Sequence, residues 1–235
     1  MATKRIKTKD RIIKGSIELF NRDGVSEIST NHIAEYLNMS PGNLYYYFSN
    51  KEQIIRGIFD QMRGQIETLW QDKNQNNPLM IVSEYIQVVF TLLIEYKFFF
   101  SDLPQLLRKD AQLKADYVNL QQRFERELAA VYWHLKQVGV FKFSEESECQ
   151  YLATNTWIVA VFWHCYREPS NDLDQQPAVK DILHQIMFLL TPYIEQAFLA
   201  MVRGLFDAFA SNYQQPQPNL GTPSSQPSGK GELEL

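Results

Sequence analysis

Ser29-Thr-Asn-His-Ile-Ala-Glu-Tyr-Leu-Asn-Met-Ser-Pro-Gly-Asn-Leu-Tyr-Tyr-Tyr-Phe48 is the stretch on which the fold turns. Its spacing predicts a helix of about eight residues, a tight turn and a second short helix. Ser29 stands where the first helix needs an N-cap, and Ile33 and Leu37 share one face. Ala34 is small and lets two helices cross closely. Asn38 sits where the chain must reverse, and Asn tolerates the left-handed conformation that helix ends often use. Ser40-Pro41 opens the second helix, with Ser as cap and Pro at the first position. Leu44 and Phe48, four apart, give that helix a buried side. Gly42, Asn43, Tyr46 and Tyr47 occupy the other side.

A short helix with one apolar side and one polar, aromatic side suits insertion into the major groove of double-stranded DNA. Asn43 can pair with a base edge, most naturally adenine. Gly42 lets the backbone come close to bases or phosphates. Tyrosine hydroxyls can bond phosphate while their rings meet sugar or a thymine methyl. Thr30 and Asn31 open the first helix, where side chains and backbone N–H groups can hold a phosphate. Lys51 opens the next helix and can reach the DNA backbone from another direction. On spacing alone, a packed corner of an all-helical protein remains the alternative.

Working outward, Ile13, Ile17 and Phe20 recur at helical spacing before this stretch. Thr8 is a candidate cap for their helix, and Gly24 a candidate end. A further helix runs from near Lys51 to about Trp70. The polar run at residues 72–78 marks a junction. Helices are then expected at about 78–95, 98–108, 110–138, 145–168 and 176–212. Pro104 should interrupt the second of these, and Pro192 should bend the last. No alternating strand pattern appears. The expected fold class is all-α, with an N-terminal three-helix DNA-binding domain joined to a larger helical body. The segments divide as 1–50, 51–77, 78–212 and a polar, Pro/Gly/Ser-rich tail at 213–235, expected to be disordered.

The 235 residues are 45% hydrophobic and carry a net charge of −4. That charge is uneven, with +3 over residues 1–56 and −7 over the remainder. A basic front on an acidic body suits a polyanionic partner. No apolar run reaches the length of a bilayer span, and no apolar segment follows the N-terminal charges, so a cytoplasmic chain without membrane attachment is expected. Cys149 and Cys165 resemble neither a disulfide framework nor a zinc site, and read as reduced, buried thiols. His134, His164 and His184 share no metal-ligand spacing, so no metal is expected. No catalytic arrangement and no cofactor motif appears, so no enzyme is expected.

Residues from about Lys9 to Ile58 resemble the TetR family of transcriptional regulators. The resemblance rests on Ile13, on Leu19-Phe20-Asn21-Arg22-Asp23-Gly24, on Ser29-Thr30 before Ile33-Ala34, on Met39-Ser40-Pro41-Gly42-Asn43-Leu44-Tyr45-Tyr46-Tyr47-Phe48, and on Lys51-Glu52. It implies that Thr30, Tyr45, Tyr47 and Lys51 grip phosphates, and that Pro41, Gly42, Asn43 and Tyr46 face bases. Asn38 replaces the family's usual turn glycine, and Tyr47 stands where histidine is commonest.

The resemblance also implies a homodimer through the helices near 145–168 and 176–212. Both are apolar on more than one side, which calls for burial from more than one side. It implies a small-molecule effector in the body. Tyr85, Phe90, Tyr117, Phe124, Trp133 and Trp157 are the candidate lining, although the same aromatics can serve as ordinary core. Arg123, Asn155 and Thr156 are candidate polar partners. The function implied is a repressor released from a near-palindromic operator by its effector. The alternative is a helical ligand carrier without an operator.

Overall fold

A computed structural model describes residues 7–70, 78–167 and 179–212. Four expectations therefore lie outside the described residues: the polar junction through residue 77, the break at 168–172, the start of the last helix at 176, and the tail at 213–235. Eleven α-helices account for most of what is described. The only β pairing among the described residues is an isolated bridge between Phe141 and Ile194.

The front of the chain forms three helices, α1 (Thr8–Asp23), α2 (Thr30–Tyr36) and α3 (Pro41–Tyr47). Local chemistry sets their ends. Thr8 is the first residue of α1 rather than its cap; Lys7 holds that place, with no side-chain bond. Gly24 ends α1 at φ 82°, a conformation that costs a residue with a Cβ. Asn38 makes the turn at φ 50°, the single positive-φ residue other than glycine among those described. Ser29 and Ser40 cap α2 and α3 by accepting from His32 N and Asn43 N. His32 returns the bond by accepting from Ser29 N through Nδ1. A Cβ at Gly15 would lie 2.7 Å from Leu37 Cδ2, so α1 crosses the end of α2 with no room to spare.

Helix α4 (Lys51–Thr68) follows, capped by Asn50. It turns Ile54, Ile55, Ile58, Phe59 and Met62 inward, the face expected from their spacing. The body then comprises α5 (Pro78–Glu95), α6 (Lys97–Ser101), α7 (Leu103–Lys109), α8 (Ala111–Gln137), α9 (Glu146–Arg167), α10 (Val179–Leu190) and α11 (Gln196–Asn212). Pro104 is the second residue of α7, in the first turn where its missing N–H is tolerated, and the break from α6 falls just before it at Asp102.

The expected last helix, 176–212, is instead two helices. After α10 a 3₁₀ turn covers Thr191–Tyr193, and Ile194 is extended. Pro192 starts this break, and backbone bonds from Lys142 N to Tyr193 O (2.8 Å) and from Glu195 N to Val140 O (2.9 Å) complete it. The segment after α8 thus supplies partners for backbone groups that a continuous helix would have paired within itself. A single connected hydrophobic core runs from Ile12 through the body to Ala210.

Candidate nucleic-acid interface and inner cavity

Helix α3 sits on the front domain by Leu44, fully buried, and by Phe48, which ends it. The remaining residues of α3 are exposed, and Tyr46 is 82% exposed. An aromatic ring this open lies outside the hydrophobic core. Asn43 binds through its backbone N–H to Ser40, and no hydrogen bond among the described residues holds its side-chain amide. The Tyr46 and Tyr47 rings meet edge to face at 5.0 Å, which orients both on one surface.

Across the turn, Thr30 Oγ1 and the Tyr45 hydroxyl are hydrogen-bonded at 2.9 Å. This bond ties the start of α2 to the outer side of α3. Asn31 is exposed beside Thr30. Asn31, Pro41, Gly42, Asn43, Tyr45, Tyr46 and Tyr47 are exposed and Thr30 is half-buried, and the Thr30–Tyr45 bond joins the two helices that carry them.

Lys51 is placed differently from the other predicted phosphate contacts. Its ammonium donates to the Val25 carbonyl at 2.7 Å and to the Ile28 carbonyl at 2.9 Å. It thereby closes the loop between α1 and α2 from behind. Burial pushes its pKa below the ordinary lysine value, and the positive charge of Lys109 pushes the same way. An ammonium has three N–H donors, so one is left over. Arg11, a part of the basic front, likewise spends a guanidinium N–H on the Leu37 carbonyl, at 3.1 Å.

Asn21 makes a connection that sequence reasoning missed. Its Nδ2 donates to the Glu95 carbonyl at 2.8 Å, and its Oδ1 accepts from the Phe98 N–H at 2.9 Å. Both amide ends are engaged on the corner between α5 and α6. The Phe20 and Phe98 rings lie 5.1 Å apart beside it. The front domain is thereby bonded to the helix that walls the inner cavity.

That cavity has a volume of about 90 Å³ and lies within the body. Helices α4, α5, α6, α8, α9, α10 and α11, with Phe141, all contribute to it. Five of the six predicted aromatics line it: Tyr85, Phe90, Tyr117, Phe124 and Trp157. Trp133 does not. It falls on another face of α8, where the Lys136 ammonium lies 4.1 Å from its ring centre. Helical phase carries this distinction, since Tyr117, Leu120, Phe124, Leu128, Val131 and Leu135 follow one stripe and Trp133 leaves it.

Of the candidate polar partners, Thr156 alone lines the cavity. Its hydroxyl donates to the Leu152 carbonyl at 2.8 Å and accepts from Tyr132 at 3.0 Å. Asn155 is exposed. Arg123 covers the Trp70 ring at 4.2 Å and pairs with Glu67. Cys149 is buried as expected, but Cys165 is only half-buried and donates through Sγ to the Phe100 carbonyl at 3.2 Å.

A three-helix head with an open recognition surface, carried on an all-helical body, defines a helix-turn-helix protein of the regulator type. The chain belongs to the TetR family. Residues 12–58 match the family model described as bacterial regulatory proteins, tetR family, and residues 52–202 match the one described as bacterial transcriptional repressor. A solved TetR-family transcriptional regulator from Marinobacter aquaeolei VT8 is 31% identical, with a TM-score of 0.76 over 87% of this chain and 99% of that one. The probable HTH-type transcriptional regulator YttP of Bacillus subtilis is 24% identical over 62% of this chain and 67% of its own length. A regulator from Saccharomonospora viridis, solved with choline, shares the fold at 13% identity and a TM-score of 0.66, over 80% of this chain and 98% of that one. Against an HTH-type regulator of Saccharopolyspora erythraea the match is 31% identical over 27% of either chain.

Proposed function

We propose that the chain is a DNA-binding transcriptional repressor that leaves its operator when a small molecule fills the body cavity. The observation that carries this reading is the α3 surface. Tyr46 is open to solvent and the Asn43 amide is uncommitted, on a helix whose opposite side is anchored by Leu44 and Phe48. Such a helix is held rigidly by its own domain while its outer side chains remain available to base edges.

Residues 1–50 are read as the DNA-binding unit, 51–77 as the connection, and 78–212 as the effector-binding and dimerisation unit. Thr30, Asn31, Tyr45 and Tyr47 are assigned to phosphates, and Pro41, Gly42, Asn43 and Tyr46 to the bases. Lys51 is assigned two tasks, bracing the α1–α2 loop and offering its remaining N–H to a phosphate. The backbone contacts set register, and the base contacts set sequence preference.

A second copy of the chain is the proposed partner. Tyr151, Ile158, Phe162 and Tyr166 form an exposed stripe along α9 at helical spacing, and Phe188 on α10 is 80% exposed. Apolar side chains aligned this way mark an interface. Twofold pairing there would present two α3 helices to one face of DNA. No helix of the described residues is long and apolar enough to cross a membrane.

Selection from a random duplex DNA library tests the reading. The expected product is a near-palindrome with half-sites about 10–10.5 base pairs apart, or a multiple of that. Absence of any enriched sequence would leave the helical ligand-carrier reading in its place.

A further inference from the structure

The inner cavity is lined without a single Asp, Glu, Lys, Arg or His. An ion placed there would lose its water and gain no opposite charge, a cost of several kcal/mol by any account of buried ions. Two charged side chains of α8 are committed elsewhere. Arg123 is turned to Glu67 and Trp70, and Glu125 accepts from Thr154 at 3.0 Å and from Gln121 at 2.9 Å.

The polar groups of the lining are not equivalent. Tyr132 and Thr156 satisfy each other and the Leu152 carbonyl. Tyr117 and Trp157 do not reach that state. The Tyr117 hydroxyl and the Trp157 indole Nε1 are both buried without a hydrogen bond of good geometry. Their rings are 6.1 Å apart, on α8 and α9. Burial raises the Tyr117 pKa strongly, and the neighbouring indole N–H lowers it in part. Together they hold two donors and one oxygen. Even if the indole leans on that oxygen, the phenol O–H still lacks an acceptor. A buried donor without a partner costs about 1–3 kcal/mol. An acceptor oxygen brought by a ligand removes that cost.

Size narrows the class further. The cavity of about 90 Å³ is smaller than the roughly 150 Å³ in which an apolar cavity takes up benzene. A short, flexible molecule matches such a space better than a broad ring system.

We infer that the cavity binds a small neutral molecule with one acceptor oxygen, such as a short-chain ketone or ester, placed against Tyr117 and Trp157. This rests on the proposed effector role of the cavity and supplies its ligand class. Carboxylates and phosphate esters of the same chain length are disfavoured by the absence of a buried counter-charge.

The test titrates the full chain with 2-butanone and butanoate, followed by calorimetry, and repeats each titration on Tyr117→Phe. Expected is binding of 2-butanone at least about tenfold tighter than the ion. In Tyr117→Phe that advantage falls severalfold, since one hydrogen bond is worth up to about tenfold in affinity. Butanoate binding as tightly as the ketone overturns the inference. So does a ketone affinity unmoved by Tyr117→Phe, or no ketone binding at all. Operator affinity is measured in parallel. Retained DNA binding with no ketone binding sinks the ligand class alone. Ketone binding that leaves DNA affinity unchanged sinks effector release and leaves the ligand class standing.

Discussion

The Asn21 side chain accepts a hydrogen bond from the Phe98 backbone N–H at 2.9 Å while donating to the Glu95 carbonyl at 2.8 Å. One amide thus stitches the end of α1 to the corner where α5 becomes α6. Helix α5 walls the cavity through Val82, Tyr85, Ile86, Val89 and Phe90. A shift of α5 on ligand binding would therefore reach the front domain through Asn21. Asn21→Ala is expected to cost about 1–3 kcal/mol in thermal unfolding, because two part-buried backbone groups lose partners. It should also reduce the change in DNA affinity caused by a cavity ligand. An unchanged melting temperature together with unchanged ligand response would show that Asn21 couples nothing.

Lys51 yields a prediction that separates its two assigned tasks. Lys51→Met keeps much of the stem but abandons the Val25 and Ile28 carbonyls. Stability should fall by about 1–3 kcal/mol. DNA binding should weaken as well, and its log–log salt slope should flatten by about 0.9, the share of one phosphate contact. A variant with lower stability but an unchanged salt slope would confine Lys51 to the bracing task.

Glu95 gives a pH dependence with a definite sign. Burial raises its pKa above the ordinary 4.5, outweighing the opposite pull of its bond with Tyr96. The folded chain therefore holds this proton at a higher pH than the unfolded chain does. The resulting penalty is absent below pH 4.5, grows as pH rises through the folded value, and is fully present at neutral pH. Glu95→Gln should be more stable than the wild type at neutral pH, and the gap should close on acidification. Denaturant melts at several pH values read this directly, and a gap that widens in acid would contradict it.

The α9 stripe predicts the oligomeric state. Ile158→Glu with Phe162→Glu places two charges in the proposed contact, where unpaired burial is strongly unfavourable. Sedimentation should show a dimer for the wild type and a shift to monomer for the variant, with a large loss of operator affinity. Each side chain is exposed in the single chain, so the fold itself should survive. A variant that remains dimeric places the contact elsewhere.

The features legible in the sequence are those decided within a few residues. Ser29, Ser40 with Pro41, Gly24 and Asn38 act on their immediate neighbours, and each stands in the structure as its local chemistry predicts. The inward face of α4 follows from helical period alone. Longer-range partners were not legible. The two carbonyls that hold Lys51 lie 26 and 23 residues away, and the Glu95 carbonyl and Phe98 N–H that hold Asn21 lie 74 and 77 away. Pro192 announced a bend, but the full break needed Lys142 N–H to bond the Tyr193 carbonyl and Glu195 N–H to bond the Val140 carbonyl. Trp133 was separable in principle, because its position on α8 is out of phase with Tyr117 and Phe124.

The most direct test of the central claim is the affinity of the wild type, Asn43→Ala and Tyr46→Ala for the selected operator and for a scrambled duplex, measured across a salt series. Both substitutions act on exposed side chains and should leave the melting temperature unchanged within about 0.5 kcal/mol of stability. The account predicts that Asn43→Ala loses about 1–3 kcal/mol of discrimination at one base position. It predicts that Tyr46→Ala weakens operator binding, and that binding to the scrambled duplex is little altered in either variant. Equal operator affinity for all three proteins would contradict the assignment of α3 as the helix that reads DNA.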